Sequence, residues 1–223
     1  VPLTPVGGTL YAVTLPAASC SDTPEFYFSA VGDLGTSVFL PSDAPSTTFT
    51  ASVGTEEEVF ADNFESNQGW TTSGNASAGL WERGVPVDLD RGDPSADFDG
   101  SGQCFLTEND PVDSNSDVDD GSAILTSPLF DLTDGGTVSY AYWLNDIPGG
   151  PLGSGDGLFV EIATNAGSTN WQSVRSYTSA AGSWRSDNIE VGTETATSST
   201  VRFRFTATDA SPGDVVEAAL DAF

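Results

Sequence analysis

The chain has 223 residues, 38% of them hydrophobic, with 33 acidic against 6 basic side chains and a formal net charge of −27 at pH 7. A field of that sign repels nucleic acid and anionic lipid, so neither is an expected partner. No stretch approaches the roughly 20 apolar residues of a membrane helix, which excludes membrane insertion by that route.

Short β-rich runs follow one another along the whole chain, separated by Pro, Gly, Asp and Ser. Before the acidic triplet at 56–58 they are 9–15, 25–31, 37–41 and 48–53. After it they are 59–64, 79–86, 103–108, 122–130, 137–144, 158–164, 170–177, 183–191, 200–208 and 216–223. No run of ten residues has a helical apolar stripe, so the sequence predicts an all-β fold.

The run 200–208 shows the strand period most clearly. Val201, Phe203 and Phe205 alternate with Arg202 and Arg204, the pattern of a strand with one buried face. Many short strands with regular turn signals predict an antiparallel sandwich or barrel. We place the domain boundary at the acidic triplet, giving a small β unit over 1–56 and a larger one over 57–223.

The segment 97–108 reads DFDGSGQCFLTE and matches an EF-hand calcium loop letter by letter. Asp97, Asp99 and Ser101 hold positions one, three and five, and Glu108 holds position twelve. An EF-hand needs a helix on each side, whereas the flanks here contain Pro and Gly upstream and a β-rich run downstream. The spacing therefore predicts a structural calcium site in a loop between strands.

The acidic stretch 88–120 surrounds this loop and adds Asp117 and Asp119 as candidate ligands. Crowded carboxylates repel one another, and a bound cation converts that repulsion into coordination. The alternative is a solvated loop adapted to salt. A second candidate position combines Asn63 and Glu65 with Asp221, because the first and last strands of a jelly roll lie side by side.

Two stretches resemble known extracellular modules. Residues 7–54, from GGTLYAVTLPA to TTFTASVG, resemble the C-terminal half of a fibronectin type III-like module. Residues 59–223 run through DNFESNQGW, GLWERGVP, LTSPLFDLT, VEIATNAGSTNW and LDAF, and this order resembles MAM-like and cleaved-adhesin-like modules. The resemblance implies an antiparallel jelly-roll β-sandwich preceded by a small fibronectin/Ig-like β unit. The closing motif LDAF has a single Asp, which weakens any metal site at the chain end.

The resemblance also implies a function without catalysis. Such modules adhere, bind glycans or surface proteins, or support neighbouring domains of a longer secreted or cell-surface chain. The alternative is a structural module that assembles with copies of itself or acts as a spacer. A third interpretation, a glycoside-active enzyme, finds little support: the sequence has no histidine and no strand pattern of paired carboxylates.

Five tryptophans could stack on sugar rings, although packing in the core and against the sheets is the favoured role for them. Trp81 and Trp184 lie next to predicted loops and are the candidate glycan contacts. The two cysteines, Cys20 and Cys104, lack metal-type spacing. They form either a disulfide in an oxidising compartment or two separate thiols.

Overall fold

The structure is a computed structural model that describes residues 1–20, 22–87, 92–112, 117–146, 152–165, 167, 170–210, 213 and 215–223. The chain divides into two compact units, Val1–Glu58 and Val59–Phe223. The described residues form strands and turns without any α-helix. None of them therefore forms a helix long and apolar enough to cross a membrane. The prediction of an all-β chain is confirmed.

The first unit holds three two-stranded antiparallel sheets, in which β1 pairs with β2, β3 with β6 and β4 with β5. Its strands are β1 (Thr4–Gly7), β2 (Leu10–Ala12), β3 (Glu25–Phe26), β4 (Phe28–Val31), β5 (Ser37–Leu40) and β6 (Phe49–Thr50). Phe26, Phe28 and Phe49 contact one another with ring centroids 5.6–6.1 Å apart. Most other side chains of this unit are exposed, so it has little core of its own.

The second unit is a sandwich of two antiparallel sheets. One has the order β14-β13-β16-β10-β7 with β11 also paired to β16, and the other has the order β15-β12-β17-β9-β8. The strands are β7 (Thr71–Gly74), β8 (Trp81–Gly84), β9 (Cys104–Thr107), β10 (Gly121–Thr126), β11 (Phe130–Leu132), β12 (Gly136–Asn145), β13 (Gly157–Ala163), β14 (Gln172–Tyr177), β15 (Arg185–Val191), β16 (Ser198–Asp209) and β17 (Glu217–Asp221).

The core lies between these sheets and follows from the two-residue period of the strands. On β16, Val201, Phe203 and Phe205 are fully buried, while the intervening arginines are half-buried on the outer face. Tyr140 of the opposite sheet meets Phe205 edge to face, with ring centroids 5.0 Å apart. Face-to-face packing of two pleated sheets is the antiparallel sandwich that the sequence predicts.

The predicted strands and the observed strands differ in three places. Residues 59–64 form no strand; Asp62 and Phe223 exchange one reciprocal pair of backbone hydrogen bonds there. Conversely, β1 and β7 were absent from the predicted runs.

Cys20 is exposed in the first unit and Cys104 is buried in the second, and both are free thiols.

Candidate metal centre

Residues 92–102, which we call the crossing loop, run over the outer face of the five-stranded sheet. The indole Nε1 of Trp143 donates to the carbonyl oxygen of Gly92 at 2.7 Å. The indole Nε1 of Trp184 donates to the carbonyl oxygen of Ala96 at 2.9 Å. Beneath the loop, a small buried cluster packs against both tryptophans; its members are Cys104, Leu106 and Ala219. Two indole donors and an apolar floor therefore fix the path of the loop.

Three carboxylates meet where this loop crosses the last strand. Asp97 and Asp99 belong to the crossing loop, and Asp221 closes β17. Their nearest oxygen atoms all lie within 4.8 Å of one another. Asp221 is fully buried, whereas Asp99 is exposed. The site therefore joins chain segments more than 120 positions apart, and part of it faces solvent.

Backbone amides hold each carboxylate in place. Oδ2 of Asp221 accepts the N–H of Phe98 at 2.7 Å and that of Asp99 at 3.3 Å. Oδ2 of Asp97 accepts the N–H of Gly102 at 2.9 Å. Gly102 has φ +130°, a conformation that only glycine adopts readily. The glycine of the predicted loop is thus required for the turn that brings Asp97 back to the site.

The pKa values of the buried Asp221 and the exposed Asp99 shift in opposite directions. Burial, together with the charge of Asp99, raises the pKa of Asp221 to about 6 against the backbone hydrogen bonds that lower it. Burial acts in the same direction on Asp99, but hydrogen bonds from Ser101 outweigh it and hold its pKa below the usual range. Burial therefore disfavours the charged form of Asp221.

Glu65 and Ser101 line the side of this group. The hydroxyl of Ser101 lies 3.3 Å from Oε1 of Glu65 and 3.2 Å from the carbonyl oxygen of Asn63. Oε1 of Glu65 also accepts the N–H of Gln103 at 2.6 Å. The amide oxygen of Asn63 instead faces the N–H of Glu65 at 3.4 Å. The sequence suggested two separate metal positions, and the structure places residues of the second, Asn63, Glu65 and Asp221, beside the loop that carries Asp97, Asp99 and Ser101 of the first.

Glu108 lies outside the group, and the position-twelve assignment is wrong. The strand β9 separates Glu108 from the loop, and five extended residues span about 17 Å. Oε2 of Glu108 instead accepts the N–H of Gly79 at 2.7 Å. A strand carries the chain away from the loop where an EF-hand would turn into a helix, so the last ligand never returns to the cation.

Asp117 and Asp119 are also remote from this group. The N–H of Val118, between them, donates to the carbonyl oxygen of Val216 at 3.1 Å. The carbonyl oxygen of Asp119 accepts the N–H of Ser77 at 2.8 Å, so this segment runs along the other end of β17. Positions 88–91 and 113–116 of the predicted acidic stretch lie outside the described residues.

The two candidate glycan tryptophans have different surroundings. Trp81 is only 2% exposed, and its Nε1 donates to the carbonyl oxygen of Ala123 at 3.1 Å. Its rings face the core, so the prediction that Trp81 contacts sugar is wrong. Trp184 is half-buried, and its ring centroid lies 6.0 Å from that of Phe98. No sequence pattern marked Phe98, which is 45% exposed on the crossing loop.

The donor chemistry of the group suits a hard divalent cation. Every candidate ligand atom is an oxygen, and calcium takes six to eight oxygens at about 2.3–2.6 Å. A carboxylate offers about four lone-pair positions. Asp97 and Asp99 each show one backbone donor, which leaves acceptor capacity facing the centre of the group. The residues present therefore fit calcium.

No protein-family model matches this sequence, and no curated protein matches it significantly. Comparison with solved structures shows that the chain has the fold of antiparallel β-sandwich modules. In particular, it is similar to a cleaved adhesin domain of Lys-gingipain from Porphyromonas gingivalis. That domain has 15% identity and a TM-score of 0.51, and the match covers 74% of this chain and 95% of that chain.

A second cleaved adhesin domain of Lys-gingipain has 16% identity and a TM-score of 0.50, with 73% of this chain and 94% of that chain covered. A structure of carbohydrate-binding modules of the β-sandwich superfamily has a lower TM-score of 0.44 at 15% identity, covering 91% of this chain and 74% of that chain. At these identities the likeness concerns the fold, and it confirms the cleaved-adhesin-like sandwich that the sequence motifs indicated.

Proposed function

We propose that the chain is a non-catalytic adhesion module of a secreted or cell-surface protein. It is stabilised by calcium and recognises a glycan or another surface component. The fold shared with cleaved adhesin domains supports the adhesion function. The net charge of −27 supports an extracellular setting in which divalent cations are plentiful. Neighbouring domains of a longer chain are the natural context for such a module.

The observation that carries the calcium proposal is the convergence of Asp97, Asp99 and Asp221 within 4.8 Å. Three ionised carboxylates at that separation repel one another, and a divalent cation between them removes the repulsion. Because Asp221 belongs to the sheet and the other two to the crossing loop, the same cation fixes the loop against the sheet. Its role is structural, since binding to the folded state alone stabilises that state by mass action.

The recognition surface that we propose is the pair of Trp184 and Phe98. Both rings lie on or against the crossing loop, and Phe98 directly follows the ligand Asp97. The indole N–H of Trp184 is fixed by the carbonyl oxygen of Ala96, and aromatic rings with an accessible face are suited to the apolar faces of sugars. A cation that orders the crossing loop would therefore also order this surface, which couples calcium to recognition.

Affinity electrophoresis on a panel of polysaccharides tests this function. The intact chain should be retarded by at least one polysaccharide in the presence of calcium, and both Trp184→Ala and Phe98→Ala should restore free mobility. Trp171→Ala is the matched control, because Trp171 lies near Arg204 on the other sheet, with the guanidinium 4.6 Å from its ring. Retardation that survives both variants, or is lost equally in the control, would refute the proposed surface.

Assembly through the first unit is a second candidate function. Most of the large exposed apolar side chains among the described residues belong to residues 1–58, among them Tyr11, Leu34 and Phe39. Contiguous exposed apolar surface marks association sites, and short two-stranded sheets leave edges for pairing with another chain. Light scattering at rising concentration separates the two functions: mass that grows in defined steps supports assembly, and a constant monomer mass rules it out.

A further inference from the structure

The segment 75–77 reads Asn-Ala-Ser, a motif that the metal centre and the proposed recognition surface do not use. An asparagine followed two positions later by serine or threonine, with any residue except proline between them, is an acceptor sequence for N-linked glycans. No other asparagine of the sequence has serine or threonine at that spacing. A motif of three residues also arises by chance, so its meaning depends on where the fold places the asparagine amide.

The motif lies at the rim of the sandwich. Asn75 and Ser77 are both exposed, in the loop that directly follows strand β7. β7 stands at the end of the strand order of its sheet, next to β10. A bulky group attached to this loop therefore meets no further strand of that sheet within the described part of the chain.

The carboxamide of Asn75 has a fixed orientation. The N–H groups of Asn75 and Ala76 donate to the carbonyl oxygen of Ser122 at 2.9 and 3.3 Å. In return, Oδ1 of Asn75 accepts the N–H of Ser122 at 3.0 Å. A backbone N–H donates to the oxygen of a carboxamide, and the nitrogen occupies the other branch of that group. Nδ2 therefore points away from Ser122, and because Asn75 is exposed, Nδ2 is accessible from solvent.

The rest of the motif is held by its backbone. The N–H of Ser77 donates to the carbonyl oxygen of Asp119 at 2.8 Å. A Cβ added to Gly121 would lie 2.8 Å from the backbone nitrogen of Ala76, so the loop packs directly on this glycine. The fold thus presents Asn75 from a fixed backbone, and a substituent on Nδ2 breaks none of these contacts.

We propose that Asn75 carries an N-linked oligosaccharide, an inference that rests on the secreted or cell-surface setting of the proposed function. In the transfer step, Nδ2 attacks the anomeric carbon of an oligosaccharide bound to a lipid phosphate. The new N–C bond replaces the C–O bond to the phosphate, which leaves with that electron pair, and Nδ2 gives up one proton. The amide keeps Oδ1, so the hydrogen bond from Ser122 persists in the product.

An oligosaccharide at this position shields two exposed features. A strand at the end of a sheet is a template for pairing with other chains, and β7 holds that place in its sheet. Leu80 is 44% exposed, and its Cδ2 lies 3.1 Å from the position that a Cβ on Gly74 would occupy, so it packs beside the end of β7. A glycan covers both because it is bulky and hydrophilic.

Mass spectrometry of the full chain, recovered from the culture medium and cell envelope of the organism that produces it, tests the proposal. Digestion after glutamate releases residues 66–82, which contain no acceptor motif except that of Asn75. We expect this peptide to carry the mass of an oligosaccharide, with sugar fragment ions, at Asn75. Asn75→Gln and Ser77→Ala should each lose that mass, and Ser77→Thr should retain it. Ser73→Ala is the matched control, because Ser73 is an exposed residue of β7 outside the motif, and it should also retain the mass.

The outcomes separate this inference from the proposed function. Ser77→Ala leaves Asn75 and its hydrogen bonds to Ser122 in place, so it guards against a folding defect of Asn75→Gln. An unmodified peptide from protein recovered outside the cell would overturn the inference and leave the adhesion function standing. A sugar mass that persists in both Asn75→Gln and Ser77→Ala would lie on another residue and would also overturn it. A chain found only inside the cell would remove the secreted setting, and this inference with it.

Discussion

Removing calcium from the Asp97–Asp99–Asp221 group should lower the melting temperature of the second unit. For oxygens within 4.8 Å of one another, two unit charges at that distance repel by about 3 kcal/mol at an effective dielectric constant of about 20. This is an upper limit, because Asp99 is exposed and solvent screens it. A cation at about 100 times its dissociation constant stabilises the folded state by about 2.7 kcal/mol, which is of the same size as the repulsion it relieves.

That free energy converts into a measurable shift. For a domain of about 150–250 residues, each kcal/mol moves the melting temperature by roughly 2–4 °C. We therefore expect calcium to raise the melting temperature by about 5–11 °C over EGTA, measured by calorimetry at constant ionic strength. Asp99→Asn should abolish at least half of this rise, and Glu82→Gln should preserve it. Equal melting temperatures in calcium and EGTA for the intact chain would refute the reasoning.

Three further predictions concern stability. Trp81→Ala should lower the free energy of unfolding by about 3–5 kcal/mol in denaturant titration, as expected for a large core side chain; lost sugar binding at unchanged stability would contradict its burial. Gly79→Ala should cost more than about 1 kcal/mol, because φ is +77° and the new Cβ would lie 2.3 Å from the carbonyl oxygen of Asp117; a neutral effect would contradict this geometry. Glu194 has its pKa lowered from 4.5 to about 2, chiefly by its hydrogen bond from Arg175. A depressed pKa gives stability that is present above about 4.5 and lost as the pH falls towards 2, so the melting difference between the intact chain and Glu194→Gln should vanish over that interval; a difference that persists at pH 2 would contradict it.

The fold could be predicted largely from local pattern. The alternation at Val201, Phe203 and Phe205 fixes both the strand and its buried face, because a shift of one residue would expose every phenylalanine. The strand β7, Thr71–Gly74, carries no such pattern: its side chains are exposed on the edge of the sheet, so nothing apolar marks it. Residues 59–64 had the composition of a strand but lack a neighbour with which to form a ladder.

The candidate site was accessible from sequence only in part. Asp97, Asp99 and the turn at Gly102 lie within six residues of one another, so their spacing in the sequence was enough to predict them. Trp81 and Glu108 were misassigned because proximity to a loop in sequence says nothing about the direction in which a strand carries the side chain.

The sequence by itself determined that this chain forms pleated strands and that its acids gather near residue 100. It did so because strand period and carboxylate density are properties of neighbouring residues. Only the tertiary structure decided which acids meet. The pairing of β17 with β9 and β12 brings Asp221 beneath the crossing loop that carries Asp97 and Asp99. Contacts between residues 120 positions apart are set by sheet registry, which local spacing does not encode.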